Sequence, residues 1–177
     1  APCAAFLDHW LVIRNGRLVP TITRFCESAA TTFAPAATIV EVQDDMAPVR
    51  YQGATLIERW GADITGQDLY RTFPHYSRVR ALANIAKVAT RPCGYFGTNR
   101  LVLPQKGQMI SQFIQLPLLS DDGATAYVVH FSVAAPATDM TGDSQYYQTR
   151  GTGWIDVGAG VPARRPYLLD TPRAAAG

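Results

Sequence analysis

The chain has 177 residues, of which 47% are apolar and 17% charged, and its 16 basic and 14 acidic side chains leave a net charge of +2. This length holds one domain with a core and extensions, and the composition is that of a folded chain rather than a disordered one. So small a charge excess gives no electrostatic basis for binding nucleic acid or an anionic membrane, and no uncharged apolar run approaches the roughly 18 residues of a membrane-spanning helix.

The N-terminal "APCAAFLDHW" has no basic region and too little apolar length for a signal peptide, so the expectation is a soluble, cytoplasmic chain. Residues 4–15 suit a helix, with Phe6, Trp10 and Ile13 about one turn apart and Gly16 as its stop. After the turn "GRLVP" a second helix is expected over 22–34, closed by Pro35. Sheet signals begin at "TIVEV", 38–42. The turn "DDMAP" and the strand "VRYQGATLI", 49–57, complete a hairpin. From Glu58 the period changes. Thr65 is placed to cap a short helical piece over 67–72, with Asp68 three residues on. The clearest helix spans 75–90, behind Pro74. Val79, Leu82, Ala83, Ala86 and Ala89 form its apolar stripe, and Arg78, Asn84 and Lys87 face water.

Three strands follow, 95–103, 109–119 and 126–134, joined by glycine-containing connections at 104–107 and 120–123. In the last strand Tyr127, Val129, Phe131 and Val133 share one face, and Ala126, Val128, His130 and Ser132 the other. Neither face is strongly polar, so both are expected to be covered. In the segment 137–177, "GWIDVGAG" is expected to dock through Trp154 and Ile155, and the final "TPRAAAG" to be mobile.

This order predicts an α+β fold: a five-stranded antiparallel sheet with helices on one face, plus N-terminal helices. The organisation is an N-terminal helical extension (1–36), a central domain (37–136) and a C-terminal extension (137–177). Three segments, "LDHWLVIRNGRLVP" (7–20), "VRYQGATLIERWGADITGQDL" (49–69) and "WIDVGAGVP" (154–162), resemble a PAS-like family widespread in alphaproteobacteria. The resemblance implies a stand-alone sensory module. Such a module binds a small apolar ligand or a protein partner and relays the change by protein contact. The apolar outer face of the sheet is itself expected to be covered, by the N-terminal helix or by a second copy in a homodimer.

The aromatic residues supply the candidate ligand pocket, between the sheet and the long helix: Trp60, Phe73, Tyr76, Phe96, Phe113 and Tyr127, with Val79. Core packing is the competing reading of the same residues. The cofactor is left unknown. Some PAS domains bind haem through a helix histidine, which by that resemblance singles out His75. "RPCGYF" around Cys93 does not match the flavin-linking cysteine motif of light-sensing relatives. Cys3, Cys26 and Cys93 are odd in number and widely spaced, so they read as reduced thiols and not as a disulfide or zinc framework. No catalytic motif appears. The alternative function is a small α+β cavity enzyme, an isomerase or dehydratase, built on Tyr127 and His130, although their spacing puts them on opposite strand faces.

Overall fold

A computed structural model describes the backbone of residues 1–29, 31–103, 107–136 and 147–171, and the side chains of these except 101–103, 107, 136, 147, 170 and 171. Helix α1 (Pro2–Ile13) buries Phe6, Trp10 and Ile13 at the expected helical spacing. It ends where Asn15 and Gly16 adopt left-handed φ values of 48° and 82° and turn the chain toward α2 (Ile22–Ala29). α2 is shorter than the sequence suggests, and a 3-10 turn at Ala34–Ala36 leads into the sheet.

The strands are β1 (Ala37–Glu41), β2 (Val49–Gln52), β3 (Cys93–Leu103), β4 (Gly107–Leu119), β5 (Ala126–Pro136), β6 (Tyr147–Asp156) and β7 (Asp170–Thr171). They form one seven-stranded sheet in the order β2-β1-β5-β4-β3-β6-β7, antiparallel throughout. The five strands read from the sequence occupy a contiguous block, and two more extend it beyond β3. The extension does not dock loosely through Trp154 and Ile155. These residues pair in register with Tyr95 and Gly94 along β3. The connection at 104–106 and the terminus at 172–177, read above as a hairpin connection and a mobile end, lie outside the described residues.

The strand read over 49–57 stops at Gln52, and residues 54–60 form helix α3 (Ala54–Trp60). Gly53 is the reason. Its N–H donates to the Ala37 carbonyl at 2.8 Å, and a Cβ there would overlap the carbonyl oxygens of Ala34 and Pro35. The chain must leave the sheet at that crossing, and this overrides the strand preference of Thr55 and Ile57. α3 closes on Gly61, left-handed at φ 76°, whose N–H returns to the Ile57 carbonyl at 2.8 Å. No helix forms over 67–72. Thr65 is not a cap: its N–H and hydroxyl both donate to Asp63, at 2.9 and 2.7 Å. Asp68 instead accepts the Ala47 N–H at 3.0 Å and the Arg78 guanidinium at 2.9 Å, tying this crossing to the long helix.

That helix, α4 (His75–Thr90), has the expected bounds but a different buried face. Ser77, Ala81, Leu82, Asn84, Ile85 and Val88 are buried, whereas Val79 is 51% exposed. Helices cover both faces of the sheet, not one. α1 and α2 lie on the outer face, and α3 and α4 on the inner. On the outer face the Phe6 ring stacks on Phe131, with centroids 4.6 Å apart and planes 8° from parallel. Phe25 and Phe33 meet Phe6 edge-on, and Trp10 Nε1 donates to the Pro117 carbonyl at 3.0 Å. The chain's own helices therefore bury the outer face around Phe131, while Phe96 and Ile110 on the same face stay 41% and 48% exposed.

Phe6→Ala is expected to cost about 3–5 kcal/mol, the range for deleting a buried phenylalanine. Val12→Ala, on the same helix at a position 76% exposed, is expected to stay within about 0.5 kcal/mol of the parent. Equilibrium denaturation of the two variants checks this, and equal costs would mean that α1 is not docked as described.

Candidate functional site: a polar layer on the inner face

The two faces of the sheet differ in chemistry. Among the described residues every buried polar side chain except Gln108 lies on the inner side, beneath α3 and α4. Strand alternation produces the difference. Ser111, Phe113 and Gln115 of β4 point inward while Ile114, Leu116 and Leu118 point outward. The register sets Gln115 between Tyr95 of β3 and His130 of β5, and His130 beside Thr38 of β1.

Gln115 Nε2 lies 3.2 Å from His130 Nδ1. With the amide donating, Nδ1 is the acceptor and a neutral ring carries its proton on Nε2. The imidazole also stacks on Phe113, 5.4 Å between centroids and 18° between planes. Burial, and then the charge of Arg59, push the His130 pKa down to about 4. Arg59 spans from α3 to β5, donating to the Ser132 hydroxyl at 2.9 Å and its carbonyl at 3.3 Å. Gln52, at the edge of the layer, accepts the Ile64 N–H at 2.8 Å and so orders the loop after α3.

Two phenols complete the layer. Burial pushes Tyr70 up to about 12, an effect partly offset by Gln115 beside it. Tyr95 is also raised, by burial and then by the neighbouring Tyr70, with Asn84 acting against the rise. Both are neutral hydroxyls at ordinary pH. The Tyr95 hydroxyl and Gln115 Oε1 are buried without a well-formed hydrogen bond, although Asn84 lies beside the first residue and Tyr70 beside the second. A native fold leaves few such groups, since each costs about 1–3 kcal/mol of lost hydration.

A C-terminal strap closes this face. Asn84 of α4 holds the Tyr167 peptide by both groups: Nδ2 donates to its carbonyl at 2.9 Å, and Oδ1 accepts its N–H at 3.0 Å. The Arg80 guanidinium sits 3.9 Å from the Tyr76 ring centre and 5.7 Å from that of Tyr167, and donates to the Leu168 carbonyl at 3.3 Å. Leu169 is buried in the inner core, its carbonyl takes the Thr149 N–H at 2.8 Å, and Trp154 Nε1 donates to Arg164 at 2.8 Å.

The seven candidate pocket residues do not converge. Phe113 is buried in the inner core and Phe73 packs against it. Trp60, Tyr76 and Val79 are exposed at 47%, 62% and 51%. Phe96 is 41% exposed and pairs with Ile114, on the outer side, and Tyr127 packs on the outer core. Tyr127 and His130 do face opposite ways. His75 is exposed at the first residue of α4. Cys93 is buried, and burial pushes its thiol up to about 11, far from a reactive thiolate. Arg59, Tyr70, Tyr95 and Gln115 escape the sequence reading, and Asn84, expected to face water, is instead buried. One signal for them is present: the polar positions Ser111 and Gln115, and His130 and Ser132, recur with period two on a single face.

These features define an α+β domain whose antiparallel sheet buries mostly apolar side chains on one face and a hydrogen-bonding layer on the other. No protein-family model matches the chain, and no curated protein matches it. Among the described residues no helix is long and apolar enough to cross a membrane.

His130 makes stability depend on pH in a stated direction. A depressed folded pKa means that the unfolded chain takes up a proton near its model value of 6.5, while the folded chain stays neutral down to about 4. Stability should therefore fall as pH drops through this window, by at most about 1.4 kcal/mol per pH unit from this residue. His9, also lowered by burial, adds in the same direction. Denaturation midpoints of His130→Gln against the parent isolate the His130 part, and parallel pH profiles would remove it.

Proposed function

We propose that the chain is a PAS-like sensory module that takes a small uncharged molecule into its inner layer and passes the change to a protein partner through the C-terminal strap. The observation that carries this reading is the buried pair of unpartnered groups, the Tyr95 hydroxyl and Gln115 Oε1, adjacent in register on a face crossed by α3 and α4. Tyr70, Tyr95 and His130 are all neutral at ordinary pH, and Phe113 and Trp154 surround Tyr95. Such a layer favours a ligand with an apolar body and a hydrogen-bonding edge, and disfavours a charged one. Asn84 connects ligand to output, because it lies beside Tyr95 and also grips the Tyr167 peptide. The block of five strands and the α3–α4 crossing support the PAS-like assignment.

Native mass spectrometry of freshly purified protein is expected to show a bound mass that denaturation releases. The double variant Tyr95→Phe, Gln115→Leu should purify without it while remaining folded. A bare mass in the parent, unchanged after incubation with cell extract metabolites, would count against the ligand. The output arm is read separately. Asn84→Leu is expected to raise amide exchange at Tyr167 by at least about tenfold, as for a segment freed to open locally. Unchanged exchange would remove the strap from the mechanism.

A further inference from the structure

A cleft of about 360 Å3 lies away from the inner layer, where α1 hands over to α2. The left-handed residues Asn15 and Gly16 fold the chain back here. Arg14 and Arg17 from the first limb thereby border the same space as Thr23, Arg24 and Glu27 of α2 and Asp121 of the β4–β5 turn. Arg14 is fixed in place: Nη1 donates to the Val157 carbonyl at 2.6 Å, and the guanidinium lies 5.6 Å from the Trp10 ring centre. Asp121 is engaged by the Thr23 hydroxyl at 2.6 Å.

The remaining charges are not paired with one another. Arg24 and Glu27 stand three residues apart on one helix, a spacing at which opposite charges ordinarily meet. Neither they nor Arg17 form an ion pair among the described residues. Three guanidiniums thus border a half-open cleft whose two carboxylates are fewer. Arginine is charged at every working pH and offers forked donors that match carboxylate and phosphate oxygens. Clefts of about 300–1,000 Å3 are of the size that holds small ligands.

We propose that this cleft binds a small anion bearing a phosphate or carboxylate group, held between Arg17 and Arg24 with Arg14 behind them. It uses none of the residues of the inner layer. Because the cleft is open, affinity is modest and falls as ionic strength rises.

The test is titration of nitrogen-labelled full-length protein with inorganic phosphate and, separately, with citrate, following backbone amide shifts. Saturable shifts are expected at Arg17, Thr21, Thr23 and Arg24, and the tighter of the two anions identifies the group preferred. Arg17→Ala and Arg24→Ala should each weaken binding by about tenfold, as for loss of one charge-assisted contact. Glu27→Gln, which removes a repelling charge, should strengthen it. These side chains are exposed, so the variants retain the fold. Shifts that never saturate, affinities unchanged in both arginine variants, or binding weakened by Glu27→Gln would each overturn the proposal.

Discussion

The structure depends on the coverage of β4 and β5, the central pair of the sheet, from both sides. Toward α1 these strands present mainly apolar side chains, such as Ile114, Leu116 and Phe131, and toward α4 a mixture of polar and apolar ones, such as Gln115, Ser132, Phe113 and Val128, so the two contacts differ in chemistry. The outer contact is an aromatic stack, Phe6 on Phe131, with Trp10 hydrogen-bonded to Pro117. That bond satisfies the indole N–H and fixes α1 along the strands, which a purely greasy contact would leave free to slide.

The inner face is held by different physics. Its members are mostly paired across long sequence separations: Arg59 to Ser132, Asn84 to Tyr167, Gln52 to the Ala62–Ile64 turn. A buried polar network specifies one arrangement strongly when every member is satisfied and is costly where one is not. The two unsatisfied groups sit at its middle, not at its rim. A ligand of the kind proposed would gain leverage from that position, since a group bonding Tyr95 would lie beside Asn84, which grips the strap.

Much of this architecture is legible in the sequence because it is local. Helices α1 and α4 and strands β3, β4 and β5 are marked by periodicity and by proline or glycine at their ends. What is not legible depends on partners distant in the chain. α3 replaces a strand because Gly53 meets the backbone of Ala34 and Pro35. The buried face of α4 is hard to phase because Ala81, Ala83, Ala86 and Ala89 spread small apolar residues over more than one side, and Asn84 is drawn inside by a peptide 83 residues away. β6 is disguised by Gly151 and Gly153, the second of which must be glycine to pass under the Phe96 ring. The pocket residues fail for a related reason. Aromatic character marks burial or contact, but not which face of a sheet a residue serves. Alternation of polarity along β4 and β5 does mark it.

The two proposed sites share one rigid element. Asp121 borders the basic cleft, and Leu119, two residues earlier on β4, receives the chain at Pro20 and Thr21 through a bridge and a 3.1 Å hydrogen bond. Four residues before Leu119 along the same strand lies Gln115, about 13 Å away at the rise of an extended chain. β4 and β5 are paired continuously over that span, from Leu119 opposite Ala126 to Gln115 opposite His130. A paired ladder of this kind transmits a rigid shift and resists bending, because bending breaks its hydrogen bonds in succession. An anion that drew Arg17 and Arg24 together would act on the α1–α2 turn, whose anchor is this hairpin. Any influence on the inner layer would then arrive as a movement of the whole hairpin against α4, altering the separation of Gln115 from Tyr70 before it altered the strap.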